Sequence, residues 1–294
     1  MQKSISILLP TYNCTCVALV RALQAQCVAA GIDFEILVAD DASTDKSCIV
    51  TNRAIEALEG VRYIVKNVNV GRSAIRNFLV NEASKEWLLF IDGDLSLDNP
   101  LFIRNYLDAD GDVIVGGLKI GGDENVWKSN LRYRYERASE EQINAINRAK
   151  RPYQHLSTNF MVRKTLTGDH PYNTNFKRYG YEDVLLGKDF QRKKLKVRHI
   201  DNAVLFDSFE PNDVFIAKTE ESLRTLYHFK SELNGYSKLL AMAEKINRLH
   251  CAGAVSFLYK LTNKPIKRQL QSNNPSVFLF NIYKLMYYCT LPIK

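Results

Sequence analysis

The sequence lacks the features that would place it at once in a membrane, secreted or zinc-binding class. No run of 18 or more uncharged apolar residues occurs in its 294 residues, so we expect no spanning helix. Met1-Gln2-Lys3 leads straight into a predicted strand, so we also expect no secretory signal. The six cysteines form neither a CxxC pair nor a zinc-type spacing with histidine, which predicts reduced, mostly structural thiols. A cytoplasmic protein is therefore expected.

Two nucleotide-handling motifs are also missing after the first predicted strand. A dinucleotide-dependent oxidoreductase would carry GxGxxG there, but this chain has Pro10-Thr11-Tyr12-Asn13. A sugar nucleotidyltransferase would be expected to carry a Gly-rich, Arg-containing loop at the same place, and none is present. Both classes are disfavoured for that reason.

Most of the chain lacks an excess of either charge sign, and an excess of basic residues occurs only at its end. The 40 basic and 32 acidic residues give a net charge of +8. Residues 1–215 hold 28 of each sign, whereas residues 216–294 hold 12 basic and 4 acidic residues. Such asymmetry points to an acidic partner or surface at one end. Because no RNA-type aromatic motif or recognisable nucleic-acid-binding fold accompanies it, we do not expect nucleic acid.

What is present is a regular alternation of short apolar runs with stretches of helical spacing. This rhythm is typical of a mostly parallel sheet covered by helices on both faces, so an α/β fold is predicted. The predicted strands of the first hundred residues are 4–9, 34–39, 63–65 and 87–91. Further along, strands are predicted at 112–117, 160–163 and 197–206, helices at 130–150, 180–194, 213–249 and 253–262, and a linker at 265–275.

Polar residues follow three of the predicted strands in an ordered way. They are Pro10-Thr11-Tyr12-Asn13 after the first strand, Asp40-Asp41-Ala42-Ser43-Thr44-Asp45 after the second, and Asp92-Gly93-Asp94 after the fourth. In parallel sheets ligands bind outside the carboxyl ends of the strands. We therefore expect these carboxylates and the aromatic ring of Tyr12 to meet at one edge.

Each of these segments has a plain structural explanation beside a chemical one. Asp92-Gly93-Asp94 is either a solvated turn or two carboxylates suited to a hard divalent cation whose remaining ligands are phosphates. Ser43 to Asp45 would cap a helix, whereas Asp40 is placed to accept a hydrogen bond from a base edge. Tyr12 either packs under its loop or stacks on a planar ring. The segment 69–77 is a basic helix after a glycine turn, or a site for an anion.

A further acidic pair, Glu182-Asp183, begins a predicted helix. Acidic residues at that position are favourable with the helix dipole. The pair is also flanked by aromatics and glycine, in Tyr179-Gly180-Tyr181-Glu182-Asp183. A base that deprotonates a hydroxyl must be a carboxylate within hydrogen-bond reach of it, and this pair is the candidate.

Taken together, five segments resemble glycosyltransferase family 2, and the resemblance covers about residues 4 to 215. It implies an inverting enzyme with the GT-A fold. The segments are Ile7-Leu8-Leu9-Pro10-Thr11-Tyr12-Asn13, Val38-Ala39-Asp40-Asp41-Ala42-Ser43-Thr44-Asp45, Ala74-Ile75-Arg76-Asn77, Phe90-Ile91-Asp92-Gly93-Asp94 and Gly180-Tyr181-Glu182-Asp183.

The resemblance also implies a role for each residue. Asp183 would be the general base and Glu182 would orient the acceptor. Asp94, with Asp92, would hold Mn²⁺ or Mg²⁺ against the diphosphate of a nucleotide-sugar, most often a UDP-sugar. The residues implied to bind that donor are Pro10, Thr11, Tyr12, Asp40, Asp41, Arg76, Asp92 and Gly93.

One position departs from the family pattern. Many relatives place a metal-binding histidine after the strand that follows the acidic pair, but here Phe206 stands at that position, with Asp207 beside it as a substitute. His199 lies too far back along the strand. The alternative function is a catalytically decayed module that still binds a nucleotide or a sugar.

The predicted domain organisation follows the charge distribution. Residues 1–215 form the catalytic domain, with a nucleotide-sugar half at about 1–95 and an acceptor half at about 96–215. Residues 216–294 form a basic helical extension that ends in the aromatic segment 277–291. That segment is either an interfacial helix on anionic lipid or a helix packed on the protein. In the first case the acceptor would be a lipid-linked glycan at the cytoplasmic face of a membrane, and otherwise a glycan.

Overall fold

The computed structural model describes residues 3–139, 144–154, 156–176 and 179–291. It divides into two compact units. The first, here called the sheet unit, comprises Met1–Gly121, Glu141–Lys177 and Glu182–Ser208. The second, the helical unit, comprises Gly122–Glu140, Arg178–Tyr181 and Phe209–Lys294. The predicted domain boundary at residue 215 stays a prediction, since these units are defined by compactness alone.

The sheet unit is built on a seven-stranded sheet with the order β3-β2-β1-β4-β7-β5-β8, beside a two-stranded sheet of β6 and β9. Strands β1 to β4 run parallel, and β7 is antiparallel to both of its neighbours. The strands are β1 (Ile5–Thr11), β2 (Phe34–Asp40), β3 (Val61–Val65), β4 (Trp87–Phe90), β5 (Val113–Val115), β6 (Leu118–Ile120), β7 (Phe160–Arg163), β8 (Val197–His199) and β9 (Val204–Phe206).

The helices of this unit pack on a sheet whose central strands, β1, β4 and β7, are mostly apolar. Such continuous apolar runs are expected of strands covered on both faces. The rings of Phe90 and Phe160 stack at 4.8 Å between centroids at the centre of the core. The helices are α1 (Val17–Ala29), α2 (Lys46–Asn52), a short 3₁₀ turn (Arg53–Ile55), α3 (Arg72–Glu82), α4 (Phe102–Asp108), α7 (Ala145–Ala149), α8 (Lys164–Thr167) and α9 (Glu182–Arg192).

The helical unit has its own apolar core. It is formed by Leu131, Ile216, Leu270, Phe280 and Tyr283. The helices are α5 (Glu124–Trp127), α6 (Leu131–Arg137), α10 (Asn212–His228), α11 (Lys238–Arg248), α12 (Ala252–Leu270) and α13 (Val277–Thr290). Within the described residues, no helix has both the length and the apolar character needed to cross a membrane.

The α/β fold prediction is confirmed, but several predicted elements were wrong in detail. The helix expected at 213–249 is two helices, α10 and α11. The strand expected at 197–206 is two strands in different sheets, because Asn202 leaves the strand path and donates to the carbonyl of Phe102 at 2.9 Å. The helix expected at 130–150 is represented by α6 and α7, and its residues 140–143 lie outside the described part.

The linker expected at 265–275 was also wrong. Helix α12 continues through Pro265 to Leu270. An internal proline costs a helix about 3 kcal/mol because it removes one backbone hydrogen bond and crowds the preceding turn. Here Ile266 and Leu270, which follow the proline, pack into the core of the helical unit. Burial of these side chains opposes that cost and keeps the segment helical.

Candidate active site

The carboxyl ends of three parallel strands meet at one edge of the main sheet. β1 lies between β2 and β4, with Thr11 in register with Asp40 and Leu8 with Phe90. The chain runs from β1 to one side of the sheet through β2 and β3, and then returns to the other side of β1 at β4. This reversal is the type of position at which open α/β sheets bind ligands.

Gly93 allows the Asp92-Gly93-Asp94 loop to lie directly against the end of β1. Its backbone N–H donates to the carbonyl of Pro10 at 3.2 Å. A Cβ atom at this position would come within 2.4 Å of Thr11 Cγ2, so no other residue fits without a shift of the loop. Thr11 is itself buried in the sheet and donates to the Ala39 carbonyl at 3.4 Å. Both residues therefore shape the edge.

Asp40 and Asp41, at the end of β2, are buried and bonded within the protein. Asp40 accepts hydrogen bonds from the backbone N–H of Ser43 at 2.7 Å and from its hydroxyl at 2.8 Å. Asp41 accepts from the N–H groups of Val70 and Gly71 at 2.7 and 2.9 Å, which fixes the start of α3. The contact of Asp40 with a nucleobase stays a prediction, and loop formation is the role that the hydrogen bonds support.

Tyr12 is the residue of this edge with a large accessible ring. Its side chain is 48% exposed, whereas the preceding Pro10 is half-buried. Asn13, next along the chain, joins the β1 loop to the β2 loop, since its Oδ1 accepts from the N–H of Asp45 at 3.0 Å. The loop is thus held in place while the ring of Tyr12 stays accessible for stacking.

The centre of the site is a cluster of two arginines and two carboxylates, here called the arginine–carboxylate network. It consists of Arg72, Arg76, Asp92 and Glu182. The Arg76 side chain, 3% exposed, places Nη2 at 2.5 Å from Asp92 Oδ1 and Nη1 at 3.8 Å from Glu182 Oε1. Arg72 places Nε at 2.8 Å from the same Glu182 oxygen and Nη2 at 3.4 Å from Asp92 Oδ2.

Asp183 lies beside this network, and its pKa is shifted in the opposite direction from that of Glu182. Burial alone would raise the pKa of Glu182, but the charges of Arg72 and Arg76 outweigh it and hold that pKa low. For Asp183, burial and then the charge of Glu182 raise the pKa to about 6. Asp183 is therefore mostly ionised at neutral pH and is more basic than an ordinary aspartate, as a general base requires.

The network includes Arg72, a residue to which the sequence pattern gave no role of its own. Arg76 was singled out, but Arg72 contacts both carboxylates as well. The available signal was spacing, because residues four apart lie on the same face of a helix. The two arginines balance the charge of the two carboxylates. The positive charge at the start of α3, which the sequence suggested would bind an anion, is therefore paired here with Asp92 and Glu182.

The residues predicted to hold a metal are only partly brought together. Both oxygens of Asp92 are engaged by arginines, whereas the exposed Asp94 and the half-buried Asp207 line one cavity of about 510 Å³. Asp207 accepts from the Ser96 hydroxyl at 2.5 Å. Phe206 is buried in β9. No group of three or more His, Cys, Asp or Glu side chains suited to a metal occurs among the described residues.

This donor set still fits a hard cation of the predicted kind. Mg²⁺ is usually held by one or two protein carboxylates together with water and substrate phosphates. Asp94 and Asp207 supply two such carboxylates on the wall of one cavity. Asp92 contacts both arginines, and its part in a metal site stays a prediction.

Several solved structures have a fold similar to that of this chain. The S. aureus TarS fragment 1–349 in complex with UDP-GlcNAc superposes with a TM-score of 0.54 at 16% identity, covering 96% of this chain and 89% of that chain. The mannosyltransferase PcManGT from Pyrobaculum calidifontis, in complex with GDP-Man and Mn²⁺, gives 0.51 at 14% identity, covering 96% and 86%. The architecture is thus of the GT-A type.

The sequence itself carries the assignment further. Residues 6–185 match the model of glycosyl transferase family 2, and the chain belongs to that family. A poly(ribitol-phosphate) beta-glucosyltransferase of Bacillus spizizenii is 31% identical over 139 residues, 44% of this chain and 21% of that protein. An uncharacterized glycosyltransferase of Haemophilus influenzae is 31% identical over 90 residues, 31% of this chain and 36% of that one. The matches thus span about a fifth and a third of these relatives.

The arginine–carboxylate network predicts unequal effects for two arginine substitutions. Arg76→Ala leaves the buried Glu182 and the largely buried Asp92 with less compensation, so it should lower the free energy of unfolding by about 3 kcal/mol or more. Arg104→Ala is the matched control, because its pair with Asp108 is exposed on α4 and should contribute at most about 1 kcal/mol. Urea unfolding measures both variants. Equal losses would contradict the structural role of the network.

Proposed function

We propose that the protein is an inverting glycosyltransferase. It would move a sugar from a nucleotide-sugar, a UDP-sugar above all, to a hydroxyl of a glycan or lipid-linked glycan acceptor. The observation that carries this proposal is Asp183, a half-buried carboxyl with its pKa raised to about 6, next to a charge-balanced network at the ligand-binding edge of the sheet. Family membership supports it.

The proposed reaction needs one base and one stabilised leaving group. Asp183 accepts the proton of the acceptor hydroxyl while the acceptor oxygen bonds to the anomeric carbon from the face opposite the leaving diphosphate. The bond between the anomeric carbon and the diphosphate oxygen breaks, so the anomeric configuration inverts. Glu182 is held by the arginines next to Asp183, where it would orient the acceptor.

The donor would lie over the strand ends. The exposed ring of Tyr12 is suited to stacking on the base, and Pro10, Thr11, Asp40, Asp41 and Gly93 would form the floor beneath it. Arg76 would act near the sugar nucleotide through Asp92, its partner in the network. The solved relatives with UDP-GlcNAc and GDP-Man support a nucleotide-sugar as donor.

A divalent metal, Mn²⁺ or Mg²⁺, is part of the proposal. Asp94 and Asp207 would hold it, and it would neutralise the charge that grows on the leaving diphosphate. The mannosyltransferase with Mn²⁺ supports this choice. The alternative function, a decayed binding module, is less well supported, because the candidate base Asp183 and the network around Glu182 are both in place.

Two substitutions separate catalysis from donor binding. Asp183→Asn should lower sugar transfer by about 100-fold or more, since it removes the base, while UDP affinity in the presence of Mn²⁺ stays unchanged. Asp94→Ala should weaken UDP binding in Mn²⁺ and leave metal-free binding unchanged. Calorimetric UDP titrations and a transfer assay measure both effects, and each variant is the control for the other.

The result that would contradict these roles is as definite. Full transfer activity in the Asp183→Asn variant would show that Asp183 is not the general base. UDP titrations of Asp94→Ala that match those of the wild type, with and without Mn²⁺, would remove Asp94 as a metal ligand.

We also propose a peripheral contact with anionic membrane at the cytoplasmic face, through α12. The segment 277–291 was the sequence's candidate, but Phe280 and Tyr283 of α13 are buried in the core of the helical unit. Helix α12 instead exposes Phe257, Leu258 and Leu261, at 62%, 53% and 63%. Lys260, Lys264 and Arg268, also exposed, lie along the same helix. Apolar residues beside basic ones suit a helix that lies on anionic lipid.

Vesicle binding tests this contact. The intact protein should sediment with vesicles of phosphatidylcholine and phosphatidylglycerol at low salt, and Leu261→Asp should sediment less because it places a carboxylate on the apolar face. Val50→Asp, at an exposed position of α2, is the matched control and should behave like the wild type. No sedimentation of the wild type, or equal sedimentation of Leu261→Asp, would contradict the proposal.

A further inference from the structure

Tyr172 is a buried tyrosine of the sheet unit that lies next to the arginine–carboxylate network. Its side chain is 2% exposed and belongs to the main apolar core of that unit. There its ring meets the ring of Phe90 edge to face, with the centroids 5.8 Å apart. Phe90 ends β4, two residues before Asp92. The ring of Tyr172 is therefore close to the start of the loop that carries Asp92.

Two hydrogen bonds tie the backbone of Tyr172 to α3. Its N–H donates to Oδ1 of Asn77 at 2.9 Å, and its carbonyl accepts from Nδ2 of the same side chain at 2.8 Å. Asn77 is itself buried and directly follows Arg76 in the helix. The backbone of Tyr172 is thus held beside Arg76 by bonds in which the Arg76 side chain has no part.

The ring of Tyr172 contacts the guanidinium group of Arg76. Cζ of Arg76 lies 5.6 Å from the centroid of the ring. A guanidinium within about 6 Å of the centre of an aromatic ring is attracted by the electrons of the ring face, and the attraction is stronger where water is excluded. Both residues are buried. The contact therefore adds a third partner to the two carboxylates that Arg76 already pairs with.

The hydroxyl of Tyr172 is not the part of the side chain that makes this contact. It is buried and has no hydrogen-bond partner among the described residues. Burial, the main cause, raises the pKa of this hydroxyl far above the neutral range, so it carries no charge at any pH at which the protein would act. The ring is thus the part of Tyr172 that acts on the network.

The position of Arg76 matters for the candidate base. The charged groups around Asp183 are Glu182 on its own helix, Arg72 and Arg76 on α3, and Asp92, which both arginines contact. The charge of Arg76 lowers the pKa of Asp183 against the larger effects of burial and of Glu182, which raise it. If Arg76 moves away, the ionised form of Asp183 loses a favourable charge, and its pKa rises further.

We propose that Tyr172 is a positioning residue of the active site, whose ring holds the guanidinium of Arg76 in contact with the two carboxylates of the network. This inference rests on the proposed function, in which Asp183 is the general base, and it adds the residue that sets how basic Asp183 is. Tyr172 acts on the reaction through Arg76.

The pH dependence of kcat/KM for sugar transfer tests the role of the ring. Tyr172→Met removes the ring and keeps much of its volume, so the midpoint should rise by about half a pH unit or more above the value of about 6 expected for Asp183. Tyr172→Phe retains the ring and should keep the wild-type midpoint. Phe160→Met is the matched control, because Phe160 also packs on Phe90 in the same core, and it should leave the midpoint unchanged.

Fluorinated phenylalanines at position 172 test the same contact without removing the ring. Each fluorine withdraws electrons from the ring face and weakens its attraction for a cation, while the size of the side chain hardly changes. With one, two and three ring fluorines the midpoint should rise stepwise. Because these side chains fill the same space as phenylalanine, the series decides the test even if Tyr172→Met does not fold.

Three results would overturn the inference. The first is a midpoint that stays the same throughout the fluorinated series. The second is an equal rise in Phe160→Met, which would assign the effect to core packing. The third is a rise in Tyr172→Phe as large as in Tyr172→Met, which would assign it to the hydroxyl. Each of them, with the wild type active, rejects this inference alone, whereas absence of sugar transfer by the wild type would count against the proposed function.

Discussion

The balance of charge between Arg72, Arg76, Asp92 and Glu182 is the constraint on which the site depends. Buried carboxylates and guanidinium groups are costly to remove from water, and breaking such a set leaves an uncompensated charge. The four side chains come from three places in the chain, namely α3, the loop after β4 and the start of α9. Their pairing therefore fixes the relative positions of the segments that carry the candidate donor and acceptor residues.

The same balance sets the chemistry of Asp183. Arg72 and Arg76 pair directly with Glu182 and hold the pKa of that carboxyl low. The negative charge of Glu182 then adds to the effect of burial and raises the pKa of its neighbour. Two adjacent carboxyls thus acquire different protonation behaviour, one structural and one suited to accept a proton, which is how acid and base roles are divided at many active sites.

Much of the fold could be predicted, because the sequence shows the periodicity of the apolar residues and the order of the strands and helices. Alternating apolar runs gave the sheet, and the rule on strand ends placed Tyr12, Asp40 and Asp92 at one edge. Partners in space were harder. Nothing in the sequence says that Asp41 accepts from Val70 and Gly71, or that Asp92 contacts both Arg72 and Arg76. Tertiary packing also overrode local signals, as where α12 continues through Pro265.

The excess of positive charge lies at two places in the structure. Part of it lines a cavity of about 640 Å³ within the helical unit, through Lys238 and Lys284, and part lies along α12 beside exposed apolar residues. In the sheet unit, the buried guanidinium of Arg76 is paired with Asp92 and Glu182.

The pH dependence of kcat/KM for sugar transfer tests the central claim most directly, because it reports the protonation of the base in the free enzyme. The account predicts that activity rises with pH through a midpoint of about 6, as Asp183 loses its proton. A midpoint near 3.8, the value of an ordinary aspartate, or a rate that does not depend on pH in this range, would contradict it.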